Sequence, residues 1–414
     1  MMKALATLAL VLLLAACNGP TSSTSPTPSA TPVAASTACP AVGKASAAVL
    51  PAATLGTHPT IFYTDEPAAN GGPVADSLVR YDVTTASKTE ILKTVMSEAQ
   101  VSPNGQWIAL ATQVDGHAAL QLVRTDGKYL QTLLCAPTNG SVRGIVWSPD
   151  QKSLLFSASS GSGAPPIYLL DLRSGKLQTE VRNNSLSLDY APVSWLDGSR
   201  LLVVGRPLGP EPGRELRVLD VSRGANQQAS DLALLVTSAA QCWDADNAGA
   251  TIYISECKGA FSDVGGGTMR GPSTISAQPA TDGQKQVVFT HPKLAVTGLR
   301  AAGSNQLLLS VGNQEPGNSS ATSMNGLWRV NTDGSGLTRL LASSAGQQGQ
   351  FAVYSQAPWA TVSRDASLYA FQVSGAAKPP SYSLVLGPIA GGPATTFASR
   401  ADGGLLLVVG WTTS

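Results

Sequence analysis

Short apolar runs alternate along almost the whole chain with clusters of Pro, Asp, Asn, Gly and Ser, and no segment sustains the 3.6-residue apolar stripe of an amphipathic helix. The pattern predicts strands joined by tight turns, and it repeats. Val101-Ser102-Pro103-Asn104-Gly105-Gln106-Trp107-Ile108-Ala109-Leu110 recurs as Trp147-Ser148-Pro149-Asp150-Gln151-Lys152-Ser153-Leu154-Leu155-Phe156 and again as Trp195-Leu196-Asp197-Gly198-Ser199-Arg200-Leu201-Leu202-Val203-Val204. Degenerate copies follow at Gly303–Leu309 and Val362–Tyr369. Each copy reads as a strand, a turn whose residues supply the dihedrals and side-chain hydrogen bonds, and a returning strand. A third strand and turn come next, as in Ile167–Gly175 and Leu327–Gly334, and a fourth strand closes the unit, as in Leu337–Leu341.

Four antiparallel strands in units of roughly 46 to 62 residues are the pattern of β-propeller blades, whereas Ig-like modules would run to about 100 residues with separate cores. The fold class expected is therefore all-β, a β-propeller. Inner strands are placed near Val101, Trp147, Trp195, Trp243, Arg300 and Val362. The three tryptophans, 48 residues apart, are read as equivalent inner-strand positions that pack between blades. Residues 59–92 supply three strands and no inner one, and the last apolar run, Leu405–Trp411, could complete that blade. Seven blades closed by a strand exchanged between the chain ends would leave no open sheet edge. Six or eight blades are the alternatives.

The turn-then-strand pattern resembles the WD40-like repeats of the TolB propeller family over most of residues 58–411. Gln151 in place of a turn glycine, Leu196 in place of proline and the insertion around Gly265–Gly271 depart from it.

At the amino end, Lys3 precedes the apolar run Ala4–Leu14, too short to span a bilayer, and Leu14-Ala15-Ala16-Cys17 follows. This resembles the lipobox of bacterial lipoproteins. The resemblance implies removal of residues 1–16 as a signal peptide and lipidation of Cys17, placing the protein in the cell envelope, extracytoplasmic and lipid-anchored. Residues 17–37 then form the lipidated cysteine and a Ser/Thr/Pro-rich tether, and residues 38–414 the propeller domain.

Loss of residues 1–16 takes away Lys3 and leaves basic and acidic residues equal in number, without the basic excess of a nucleic-acid binder. Cys39, Cys135, Cys242 and Cys257 remain, an even number for an oxidising compartment. Cys242 and Cys257 flank a turn centred near Gly249 and Ala250, which would set them opposite each other on a hairpin, within disulfide reach. Cys39 with Cys135 follows by elimination.

Chemistry-bearing residues are sparse. His58, His117 and His291 are read as turn and strand-end residues. No Gly-x-Ser-x-Gly elbow of a serine hydrolase occurs, and Gly161-Ser162-Gly163 is read as a loop. Asp244 and Asp246, with Gly249 behind them, mimic the opening of a calcium loop, but Ala248 and Ser255 stand at later ligand positions, so the segment is read as an inter-strand turn without metal. Lys258–Pro272, with Gly265-Gly266-Gly267, is read as a long glycine-rich excursion. No cofactor is expected. The function expected is a non-catalytic binding or scaffold module for a protein, peptide or glycan partner, touching the membrane through its lipid alone. The alternative is a glycan lyase or hydrolase with acids converging at the channel, Asp65, Glu66, Asp197, Asp244 and Asp246 being the acids nearest the inner-strand ends.

Overall fold

The computed structural model describes residues 35–412, apart from 42, 69–73, 160–163, 184–187, 208–213, 239–241, 261–267, 281–282, 315–318, 344–347, 352–359 and 376–377. The described residues form seven antiparallel sheets that follow one another around a ring, a seven-bladed β-propeller. Blade 1 takes its inner strand, Leu405–Thr412, from the far end of the chain and continues with Thr60–Glu66, Asp76–Asp82 and Lys88–Thr94. Pairing of the exchanged strand runs from Thr60 opposite Thr412 to Glu66 opposite Leu405, so backbone hydrogen bonds close the ring. Blade 2 begins at Met96–Val101, blade 3 at Ser141–Trp147, blade 4 at Leu188–Trp195, blade 5 at Trp243–Ala248, blade 6 at Val296–Ala302 and blade 7 at Gln348–Gln350.

The recurring turn is built by its own side chains. Ser102 Oγ donates to Asn104 Oδ1 at 2.7 Å and accepts from the Trp107 amide at 3.0 Å. Ser148 repeats this with Asp150 and the Ser153 amide, and Ser363 with Asp365 and the Leu368 amide. Serine two residues before Asp or Asn therefore starts the returning strand by satisfying amides that lack a ladder partner. One turn position must be left-handed: Gly105, Gln151 and Ala366 sit there with φ of +72°, +62° and +55°. Gln151 bears a cost of about 1 kcal/mol for that conformation, and the turn persists without glycine.

The core is divided by the ring. One apolar cluster fills each junction between successive blades, for example Trp107, Leu120, Ile145, Trp147 and Phe156 between blades 2 and 3, and Ile61, Leu384, Phe397 and Trp411 between blades 7 and 1. Full burial of each such large side chain contributes about 1.5–3 kcal/mol. Ser36, Ser46, Ala48 and Val49 lie against blades 2 and 3: the Thr132 amide donates to Ser36 O, the Ser46 amide to Leu133 O, the Ala48 amide to Leu172 O and the Val49 amide to the Gln131 side chain. Cys39 and Cys135 are bonded within this lap, their Cα atoms 5.6 Å apart.

Three expectations are corrected. Trp147 and Trp195 end their inner strands next to the turn, but Trp243 starts its strand, opposite Glu256, so the equal spacing does not mark equivalent positions. Blade 4 explains the slip: between its third strand, Arg214–Asp220, and its fourth, Ala233–Ser238, lie two 3₁₀ turns and a two-residue strand that pairs with blade 3. Asp244 and Asp246 lie on the strand Trp243–Ala248, with the turn behind them, so they are strand residues and not turn residues. In place of the long excursion expected from Lys258 to Pro272, Lys258–Ala260 pairs with Thr268–Arg270 and extends the hairpin, while Gly265–Gly267 lie outside the described residues. The inner strand of blade 7 is in place near Val362, which bridges to Tyr369, and among the described residues its ladder lies at Gln348–Gln350.

Candidate functional site

The inner strands begin at one end of the ring, called here the upper end, and finish at the Ser-x-Asp turns of the lower end. Along the inner strands, polar side chains clasp the backbone of the next blade. Between blades 2 and 3, the buried Glu98 carboxylate accepts from the amides of Gly144 at 2.6 Å and Ile145 at 2.7 Å. Gln100 accepts from the Trp147 amide at 3.0 Å, and the Trp147 indole donates to Gln100 O at 3.1 Å. Between blades 5 and 6, Asp244 accepts from the Leu299 amide at 2.9 Å and Asp246 from the Ala301 amide at 2.8 Å. Alternation along a strand puts residues two apart on one face, so each pair faces the same neighbour.

The second clasp encloses a cation. Arg300 is buried and donates through Nη1 to Asp244 at 2.7 Å, with its guanidinium 5.2 Å from the centre of the Phe351 ring. Burial pushes Asp246 up to about 7 even though Arg300 and two amides favour its charged form. Burial alone would lower the Arg300 pKa, but Asp244 and Asp246 hold it above its ordinary value.

Beside this clasp lies a cleft of about 530 Å³, lined among the described residues by Trp243 and Asp244 of blade 5, Arg300, Asn313 and Gln314 of blade 6, and Gln350, Phe351 and Tyr382 of blade 7. Two glycines shape it. A Cβ on Gly298 would stand 2.9 Å from the Phe351 ring, and one on Gly349 would stand 2.4 Å from Phe371, so neither aromatic ring could keep its place beside a larger residue. The extended hairpin of blade 5 forms a wall, since Met269 and Gln314 exchange backbone hydrogen bonds of 2.8 Å in both directions. Asn313 is held by the Ala295 amide, which donates to its side chain at 2.8 Å, and by Asn325. Two donors in the lining residues have no partner, the Trp243 indole N–H and the Arg300 Nε–H, and both side chains are buried. Buried donors without acceptors are rare in folded proteins, and ligand sites are among the places where they are kept.

The remaining sequence candidates separate. Cys242 and Cys257 are bonded across blade 5 beside Trp243, their Cα atoms 5.2 Å apart. Cys17 and Gly161–Gly163 lie outside the described residues. Asp65 pairs with Arg400, which also pairs with Asp402, and the half-buried Glu66 is raised to about 7 by burial and by the charge of Asp76. Asp197 lies at the lower end, tied to Arg200 at 2.6 Å, so the five acids do not converge. His58 meets Asp82 at 3.0 Å, His117 contacts Ala136 O at 3.1 Å, and His291 accepts from the Lys293 and Leu294 amides. Among the described residues no group of three or more His, Cys, Asp or Glu is placed to hold a metal ion. Glu98, Gln100, Asn313 and Gln350 were not singled out from the sequence, although acid or amide residues two apart on an apolar inner strand mark the clasps.

No family model and no curated protein matches the chain. Solved structures of similar fold do. A periplasmic gluconolactonase of Pseudomonas aeruginosa is 14% identical with a TM-score of 0.50, over 84% of this chain and 99% of its own. Oligopeptidase B of Leishmania major is 14% identical with a TM-score of 0.52, over 83% of this chain and 48% of its own. TolB of Acinetobacter baumannii is 14% identical with a TM-score of 0.44, over 85% of this chain and 82% of its own. At such identities the likeness is one of fold: the chain is a seven-bladed β-propeller.

Proposed function

We propose that the protein is a lipid-anchored, extracytoplasmic binding module that holds a partner at the upper cleft between blades 5, 6 and 7 without transforming it. The observation that carries this reading is the contrast between the acids and the cleft. Asp244 accepts from the Leu299 amide and from Arg300, Asp246 accepts from the Ala301 amide, and Glu98 accepts from two amides, so these carboxylates serve the ring. Most glycoside hydrolysis uses two carboxylates about 5–10 Å apart, one to move a proton and the other to act as nucleophile or base. The cleft instead presents amides, hydroxyls and aromatic rings on a rigid ring, a surface suited to recognition. The two disulfides support an oxidising compartment, and the Cys17 motif supports the lipid anchor.

Mass spectrometry of the mature amino terminus checks the anchor: a diacylated or triacylated Cys17 is expected, and an unmodified residue there would overturn it. The binding role is checked by passing envelope extract over the immobilised full chain and over a Tyr382→Ala variant. Retention of one species by the first and its loss on the second is expected. Turnover of a glycan or peptide with nothing retained would reverse the reading.

A further inference from the structure

We infer that the cleft between blades 5, 6 and 7 takes a short neutral saccharide, a deepening that rests on the binding role proposed above. Its residues ask for a ligand that both accepts and donates. The Trp243 indole N–H and the Arg300 Nε–H lack acceptors, while the side-chain carbonyl of the exposed Gln350, whose amide N–H donates to Gln372, can accept from an incoming hydroxyl. A sugar hydroxyl does both at one atom, whereas a carboxylate ligand only accepts and would meet Asp244, which already offsets Arg300. Phe351 and Tyr382 add aromatic surface against which the C–H face of a sugar ring can lie. The volume of about 530 Å³ falls within the range of small-molecule sites.

Calorimetry on the full chain in mild detergent tests this, with maltotriose, cellotriose and chitotriose as neutral probes, trigalacturonate as the acidic probe and trialanine as the peptide probe. At least one neutral trisaccharide is expected to bind, more tightly than trigalacturonate. Trp243→Phe is expected to weaken that binding about three- to tenfold, the effect of one hydrogen bond. It should lower the melting temperature only by the packing area lost, because the lost N–H has no partner inside the protein. Tyr382→Ala, which removes a ring from the rim, is expected to weaken it by a similar factor. Each other outcome is decisive. Saccharide binding unchanged in both variants, tighter binding of trigalacturonate, or no binding by any neutral probe overturns the inference. Binding of trialanine alone, lost in the variants, overturns the saccharide class and leaves the binding role standing. New reducing ends released from a bound trisaccharide overturn the non-catalytic role and leave the saccharide class standing.

Discussion

The junctions between blades 2 and 3 and between blades 5 and 6 use one device for two ends. In both, polar side chains two residues apart on an inner strand accept from amides of the next inner strand. At the first junction every part is satisfied: the tryptophan indole has the Gln100 carbonyl, and aliphatic and aromatic side chains fill the space behind. At the second, a buried arginine is drawn into the clasp, a tryptophan is left without an acceptor, and a cleft opens alongside. A fully satisfied polar network rigidifies, and a partly satisfied one holds free energy that a ligand can recover. The comparison thus separates the part of the ring that holds the fold from the part that can act.

Breaking the second clasp has the largest expected effect. Arg300→Met would leave the buried Asp246 and the half-buried Asp244 without their cation, and loss of one partner from such a group costs about 3–5 kcal/mol. Urea unfolding of the variant should show that loss as a lower midpoint. Breaking the first clasp comes next. Glu98→Ala strands the amides of Gly144 and Ile145, each unsatisfied donor costing about 1–3 kcal/mol. A loss of about 2–4 kcal/mol is expected, and a loss below about 1 kcal/mol would show that water replaces the carboxylate and that the clasp is dispensable.

Acidity sharpens the comparison further. Burial raises Asp246 in the fold from its ordinary value of 3.8 to about 7, so between those values the native state binds more protons than the unfolded chain. Stability from this residue is therefore greatest below about 4 and is lost as pH rises through about 7, the reverse of an ordinary paired aspartate. Unfolding free energies of the wild type and of Asp246→Asn, measured at intervals from pH 4 to pH 8, should draw apart accordingly. The wild type gains relative to the variant as the solution is acidified. A difference that stays flat across that range would mean that Asp246 is ionised throughout, with Arg300 outweighing the cost of its burial.

The repeat was legible because turn chemistry is local: Ser102 with Asn104, Ser148 with Asp150 and Ser363 with Asp365 act within five residues of chain. The exchanged strand was legible because blade 1 lacked an inner strand and Leu405–Trp411 had no other place. The cleft was not. Its residues come from three blades, and what brings them together is register, which the excursion in blade 4 had already displaced. Spacing counts residues, while position on a strand depends on where pairing resumes after each insertion. Trp243 therefore kept the period of Trp147 and lost its place. Asp244 and Asp246 stood out for a spacing that resembled a calcium loop, and their partners, the amides of Leu299 and Ala301, could not be found without the neighbouring blade.

The smallest expected effect tests the comparison most directly, because it sets one residue type against itself. Phenylalanine keeps most of the packing of a buried tryptophan and removes only the ring N–H. At Trp147 that N–H donates to Gln100 O at 3.1 Å, so Trp147→Phe leaves a buried carbonyl short of a partner and should cost about 1 kcal/mol beyond the lost area. At Trp243 the N–H has nothing to lose inside the protein, so Trp243→Phe should lie within about 0.5 kcal/mol of the wild type once the same area is allowed for. Thermal unfolding of the two variants side by side reads the difference directly. Equal losses would mean that the Trp243 indole already has an acceptor in solution, and the distinction between a sealed junction and an open one would fall with it.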